Sequence, residues 1–237
     1  MTLQAVLFDF NGVIINDEPL HEELLAEILL AENLRLRPQD YQELCLGRSD
    51  RAGLSDLLAR YGRVPTAAYL EQLIARKAQA YQQRLATLPE LPSYPDVREG
   101  LDFLRERGLA LALVTGAVRS DVETVLARLE LLSHFDIWVT GEETLRSKPD
   151  PYGYLLAVER LSRRFPDRAI TPATCLAIED SPAGLAAAKQ AGIQVVGVAN
   201  SYPFHMLQRL ANWTVDRLGE IEWERVEQVL AGDRPET

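Results

Sequence analysis

Cysteine is scarce in this chain. Cys45 and Cys175 are the only two among 237 residues, far apart, in no CxxC pair and with no histidine at metal-ligand spacing, which excludes a disulfide framework and a zinc-finger type of site. They read as reduced thiols of a cytoplasmic protein. Positive charge is short as well: 25 Lys and Arg stand against 35 Asp and Glu, a formal net charge of −10. That balance argues against nonspecific binding to nucleic acid or to an anionic membrane surface. Any phosphate site must then be a local arrangement of cations and backbone amides. No apolar run approaches the length of a membrane span. The opening MTLQAVLFDF runs straight into a strand with neither a basic region nor a cleavage site, so no signal peptide is expected. Internal repeats, low-complexity tracts, heptads and long exposed apolar stripes are all missing, and a soluble cytoplasmic monomer is the expectation.

What is present is an ordinary globular composition, 47% apolar and 25% charged, enough to bury a real core. Short apolar runs recur at Ala5 to Phe8, Ala110 to Val114, Ile137 to Val139, Thr174 to Ile178 and Gln194 to Val198, each ended by Gly, Thr, Asp or Glu. They read as strands buried on both faces of a parallel sheet. Helical patterns lie between them: Val97 to Arg107 stopped by Gly108, Val118 to Leu129, Tyr152 to Arg163, and Ala183 to Ala191 stopped by Gly192. This alternation predicts an α/β fold with a doubly wound parallel sheet, whose ligand sites lie at the carboxyl ends of the strands.

The stretch from Asn16 to about Leu88 has no strand pattern and instead gives amphipathic helices over Pro19 to Glu32, Gln39 to Leu46, Arg51 to Tyr61 and Thr66 to Leu85. It predicts a small all-α cap, residues 16–88, inserted after the first strand of an α/β core made of residues 1–15 and 89–237. LPELPSYPD, with prolines at 89, 92 and 95, reads as a stiff return linker. The closing GDRPET reads as a frayed tail.

Four of the predicted strand ends carry polar residues that a structural role alone would not select. Asp9 ends the first, Thr115 with Gly116 the second, Lys148 follows the third in RSKPDP, and Glu179 with Asp180 ends the fourth. In an open parallel sheet these ends meet along one edge. A carboxylate there can attack phosphorus in line, provided a lysine and a metal suppress the repulsion between anions. Mg²⁺ prefers hard oxygen ligands, which Asp9 and Asp180 supply. Thr115 and the amides of Gly116 and Ala117, opening the next helix, suit the remaining phosphate oxygens. Taken singly, each is also an ordinary turn or helix-start residue.

As an ordered set, FDFNGVIINDEPLH, LVTGA, SKPDP and IEDSPAG resemble the haloacid dehalogenase superfamily, in the branch of β-phosphoglucomutase-like phosphatases with a helical cap. The resemblance runs over nearly the whole chain. It implies a Mg²⁺-dependent phosphatase acting on a small phosphorylated metabolite such as a sugar phosphate, through an aspartyl-phosphate on Asp9. It further implies Thr115 as the phosphate-binding hydroxyl, Lys148 as the neutralising lysine, and Glu179 with Asp180 as metal-side acids. The residue at position 11 would reach the metal through its backbone carbonyl. In the cap, the loop Leu46-Gly47-Arg48-Ser49 resembles the family's specificity loop, so Arg48 is expected to hold distal substrate groups, with Arg76 and Lys77 as secondary candidates. His21 matches the family's hinge-side histidine and joins the substrate-binding set.

The chain departs from the family at position 11, where Asn stands for the Asp that protonates the leaving alkoxide and later activates water, and at Asn16, also usually Asp. An amide transfers no proton at neutral pH, and general acid–base catalysis typically contributes about 10² to 10⁴ in rate. The expectation is a slow or selective phosphatase, with water, Asp17 or His21 moving the protons. The alternatives are a catalytically silent binder of a phosphometabolite and a dehalogenase, whose departing halide needs no proton.

Overall fold

The runs AVLF, ALALV and CLAIE are buried along their whole length, which a strand achieves only when both faces of its sheet are covered. The structure, a computed structural model, describes residues 2–144 and 146–232. Its sheet contains β1 (Ala5–Phe8), β2 (Ala110–Val114), β3 (Ile137–Val139), β4 (Cys175–Glu179), β5 (Gln194–Val198) and β6 (Trp213–Val215). The spatial order is β3-β2-β1-β4-β5-β6, and every neighbouring pair is parallel.

Between β1 and β2 come α1 (Glu18–Ala31), α2 (Pro38–Leu44), α3 (Asp50–Arg60), α4 (Ala67–Thr87) and α5 (Val97–Glu106). The later connections carry α6 (Arg119–Arg128), α7 (Tyr152–Arg164), α8 (Pro182–Gln190) and α9 (Phe204–Leu207), and α10 (Trp223–Ala231) follows β6. The period-two alternation of the strands sorts side chains between two cores. Val6, Phe8, Leu111, Leu113 and Ile178 join residues of α5, α6 and α10, whereas Ala5, Leu7, Ala112 and Ala177 join α7, α8 and α9. Small residues on the second face let α7 and α8 lie close, so Tyr154 on α7 is fully buried beneath the sheet edge.

From β1 the chain moves outward through β2 and β3, then returns to β4 on the other side of β1. Connections leaving the carboxyl ends of β1 and β4 therefore diverge and open a crevice there. Above it, α1 to α4 hold a hydrophobic cluster of their own, with Leu25, Ile28, Leu29, Leu54, Leu57, Leu58 and Leu73 buried. Ser49 and Thr66 start α3 and α4 by accepting from the Ala52 and Tyr69 amides, which satisfies donors that a helix start leaves open. The proline-rich return stretch is extended, and it pairs with the outgoing one: Ile15 bridges Ser93 antiparallel, and the Asn16 amide donates to the Pro92 carbonyl at 2.7 Å.

The five strands expected from the sequence all form. One is displaced: β4 begins at Cys175 rather than Thr174 and takes in Glu179, because a tight turn over Pro172–Thr174 uses the Thr174 hydroxyl to close itself. β6, α9 and α10 were not anticipated. Of the expected tail only Gly232 is described; residues 233–237 lie outside the described residues. No helix among the described residues is long and apolar enough to cross a membrane.

Candidate active site

Asp9 directly follows β1, at the crevice, and is 4% exposed. Its Oδ1 accepts from the Phe10 amide at 2.7 Å and lies 2.8 Å from Lys148 Nζ. Oδ2 has no protein hydrogen bond among the described residues. The same ammonium reaches Glu179 Oε1 at 2.6 Å, and the Tyr154 hydroxyl donates to that oxygen at 2.6 Å. Lys148 is thereby fixed between two carboxylates over the Tyr154 ring. Burial alone would lower its pKa, but the facing charges of Asp9 and Glu179 hold it above the ordinary lysine value.

Asp180 stands beside this pair, and its Oδ2 accepts from the Ser201 hydroxyl. Asp9, Glu179 and Asp180 each present an oxygen within 4.8 Å of the other two. Burial pushes the Glu179 and Asp180 carboxyls up, and the neighbouring Asp9 charge adds to the effect. Three buried carboxyls and one ammonium leave two negative charges when all are ionised. A divalent cation on hard oxygens neutralises them, so the donor set fits Mg²⁺. Gly12 makes the approach feasible: its φ is +77°, and a Cβ there would sit 1.7 Å from Asp180 Oδ2.

After β2, the Thr115 amide donates to the Val139 carbonyl at 3.0 Å, which ties the loop to β3. The Gly116 amide has no hydrogen-bond partner among the described residues. Ala117, expected to offer its amide to a phosphate, instead donates it to Thr115 Oγ1 at 3.0 Å, because a short turn precedes α6 and that helix starts at Arg119, one residue later than expected. A Cβ on Gly116 would lie 2.8 Å from the Ser49 amide nitrogen, so the loop of residues 47–49 packs directly on it. The Ser49 amide also donates to Ser147 Oγ at 2.8 Å.

Asn11 lies on the other side of Asp9. Its Nδ2 donates to Asp17 Oδ1 and Oδ2 at 2.9 and 3.0 Å and sits 3.0 Å from His21 Nε2. Asp17 is 2% exposed and also receives the Tyr81 hydroxyl. Burial would raise its pKa, but His21, Asn11 and Tyr81 bring it below the usual carboxylate value. Burial and Lys77 would both lower the His21 pKa, and Asp17 and Glu18 more than compensate. The His21 ring stacks on Tyr81 with centroids 4.8 Å apart, and its Nδ1 is 2.7 Å from Lys77 Nζ. Lys77 donates in turn to Asp50 Oδ1 at 2.5 Å. A continuous polar chain thus runs from Asn11 through Asp17 and His21 to Lys77 and Asp50.

Of this polar chain, Asn11, His21, Lys77 and Asp50 line one cavity of about 40 Å³, together with Asp9, Arg48, Thr115, Gly116, Ala117, Glu18 and Asp121. The sequence-predicted residues Asp9, Asn11, His21, Arg48 and Thr115 to Ala117 therefore share one space, and Lys148, Glu179 and Asp180 cluster around Asp9. Arg48 is half-engaged already: its terminal nitrogens bind Asp56 Oδ2 at 2.7 Å and the Leu44 carbonyl at 2.8 Å. Arg76 is exposed and not among the cavity residues, whereas its neighbour Lys77 is 2% exposed and lines it. The reason is helical phase, since Leu70, Leu73, Lys77 and Tyr81 share the buried stripe of α4. Sequence reasoning missed Tyr154, Ser201, Asp50 and Asn200, whose Nδ2 donates to the Gly12 carbonyl at 2.7 Å. Asn200 and Ser201 lie just beyond the end of β5 at Val198, so the rule that parallel strand ends build sites could have found them.

Three buried carboxyls and a buried lysine thus meet at the switch point of a parallel sheet, where α/β folds place their ligand sites. The chain belongs to the haloacid dehalogenase-like hydrolases, whose family model matches residues 3–192. It is similar to the phosphorylated carbohydrates phosphatase of Thermotoga maritima, 32% identical over 84% of this chain and 87% of that one. It is also similar to protein CbbY of Rhodobacter capsulatus, 29% identical over 92% of this chain and 95% of that one. Among solved structures, β-phosphoglucomutase from Clostridium difficile superposes with a TM-score of 0.84 at 19% identity, covering 97% of this chain and 98% of that one.

Proposed function

We propose that the protein is a Mg²⁺-dependent phosphatase of a small phosphorylated metabolite, of the sugar-phosphate kind, with Asp9 as nucleophile. The observation that carries the reading is the convergence of Asp9, Glu179 and Asp180 within 4.8 Å of one another, around the Lys148 ammonium. The Thermotoga maritima relative named as a phosphatase of phosphorylated carbohydrates supports the substrate class.

Asp9, Glu179, Asp180 and the Asn11 backbone carbonyl would hold the metal. When bound, Mg²⁺ supplies positive charge against the phosphate oxygens and brings them to the carboxylate. Lys148 shields Asp9 from the incoming anion, and Thr115 with the Gly116 amide cradles the phosphoryl oxygens. Asp9 forms a bond to phosphorus as the ester oxygen departs, leaving an aspartyl-phosphate and an alkoxide that takes up one proton. Asn11 has none to give, so that proton comes from water. A second water then attacks phosphorus, phosphate leaves, and the Asp9 carboxylate is restored. Both steps lack a carboxyl acid or base at position 11, which makes the enzyme slow on alkyl esters. Residues 16–88 act as a cap over the crevice, with the loop of residues 47–49 packed on Gly116. The enzyme acts as a cytoplasmic monomer.

A panel of phosphate esters assayed with and without Mg²⁺ tests the reading. The wild type should release phosphate from at least one sugar phosphate only with Mg²⁺, and Asp9→Ala should release none. A wild type indistinguishable from Asp9→Ala, with Asn11→Asp active, would establish a silent binder instead.

A further inference from the structure

Away from Asp9, the cavity is walled by Glu18, His21, Arg48, Asp50, Lys77 and Asp121. Lys77 in this wall is paired within the protein, and Arg48 is paired through its two terminal nitrogens. The Lys77 ammonium is held at 2.5 Å by Asp50 and at 2.7 Å by His21, and Arg48 is turned to Asp56 at 2.7 Å and to the Leu44 carbonyl at 2.8 Å. The carboxyls are not balanced in the same way. Glu18 takes its hydrogen bond from the Tyr41 hydroxyl, and Asp121 takes its own from the Gln82 amide at 2.6 Å and the Ser120 hydroxyl. All of these donors are neutral. The wall therefore presents carboxyl oxygens in excess of unpaired positive charge.

We propose, resting on the phosphatase reading above, that the substrate is a monophosphate whose remote half is an uncharged polyol, and that Glu18 and Asp121 exclude a second phosphate. A hydroxyl entering this half donates to Glu18 or Asp121 as a charge-assisted hydrogen bond. Its oxygen can also satisfy Arg48 Nε, which is buried with no partner among the described residues. A phosphate oxygen can accept from Arg48 Nε as well, but the dianion has no hydrogen to give Glu18 or Asp121 and meets their charge instead. It has to pull Lys77 from Asp50 or Arg48 from Asp56 while standing among acids. Selectivity of this kind comes from a repulsive element built against the wrong ligand rather than from extra contacts to the right one.

Calorimetric titration decides the matter without needing turnover. Asp9→Ala protein with Mg²⁺ is titrated with sorbitol 6-phosphate, fructose 1,6-bisphosphate and inorganic phosphate at one ionic strength. The monophosphate should bind at least about tenfold more tightly than the bisphosphate, the scale on which like-charge juxtaposition discriminates between partners. Adding the isosteric changes Glu18→Gln and Asp121→Asn should shrink that ratio, each one alone in the same direction. Equal or tighter binding of the bisphosphate overturns the inference while leaving the phosphatase reading intact. So does a ratio unchanged by both substitutions. If neither ester nor inorganic phosphate binds, the phosphate site itself fails and the inference falls with it.

Discussion

Asn11→Asp probes the chemistry of this site most sharply. The present amide donates to both oxygens of Asp17, at 2.9 and 3.0 Å. A carboxyl in its place faces Asp17 at the same separation, and two carboxylates that close cannot both ionise. One proton must stay between them or pass to His21, whose Nε2 lies 3.2 Å from Asp17 Oδ2. The variant therefore carries at neutral pH the acid that the wild type lacks, at an expense of two hydrogen bonds to a charged group, each worth about 1.5–3 kcal/mol. The introduced acid has a raised pKa, so the stability penalty is absent at low pH and grows as pH rises through that pKa. Steady-state rates should rise by about 10² or more on a hexose 6-phosphate, whereas the pre-steady-state burst of p-nitrophenol from p-nitrophenyl phosphate, whose leaving group needs no proton, should change by no more than about threefold. A burst rate raised as much as the hexose-phosphate turnover, or no change in either, would refute the reasoning.

Three further outcomes are expected. Lys148→Met leaves Asp9 and Glu179 facing each other unpaired, so it should lose about 3–5 kcal/mol at pH 8 in chemical denaturation, with a smaller loss at pH 5 where one acid is protonated. Mg²⁺ should raise the melting temperature of the wild type, EDTA should reverse the shift, and Asp180→Asn should show little of it, since a ligand bound only to the folded state stabilises it. Asp121 is pushed up to about 6 by burial, against the ordinary 3.8. Its contribution to stability is thus fully present below pH 3.8 and is lost as pH rises to about 6. Asp121→Asn should therefore stabilise the protein at pH 8 but not at pH 4, by on the order of 3 kcal/mol at most; an equal effect at both pH values would contradict this.

The sheet was legible because each central strand is a short apolar run buried on both faces, a pattern that survives without knowledge of its neighbours. β6 was not. Trp213, Thr214 and Val215 are only partly buried at the sheet edge, and three residues carry no periodicity. The cap helices declared themselves through their apolar stripes. In the site, Asp9, Lys148, Glu179 and Asp180 could be nominated because each stands at a strand end or just beyond one, and the sheet order brings those ends together. Tyr154 gave no such sign: it is a tyrosine in the first turn of α7 whose hydroxyl reaches Glu179 because alanines on the facing strands let the helix approach. The chain from Asp17 through His21 and Lys77 to Asp50 was likewise hidden. It joins three helix surfaces and the hinge, so no spacing in the sequence encodes it. The turn that gives the Ala117 amide to Thr115 Oγ1 was hidden for the opposite reason, being too short to distinguish from a helix start.

The central claim, that Asp9 takes the phosphoryl group, is tested most directly by acid-quenching the wild type during turnover of a sugar phosphate with Mg²⁺ and mapping the modified peptide by mass spectrometry. With no carboxyl base at position 11 to speed its hydrolysis, the phosphoenzyme should accumulate, with the added phosphoryl mass on Asp9, and fall in abundance in Asn11→Asp. Turnover that leaves Asp9 unmodified at every quench time, or that labels another residue, would contradict the account.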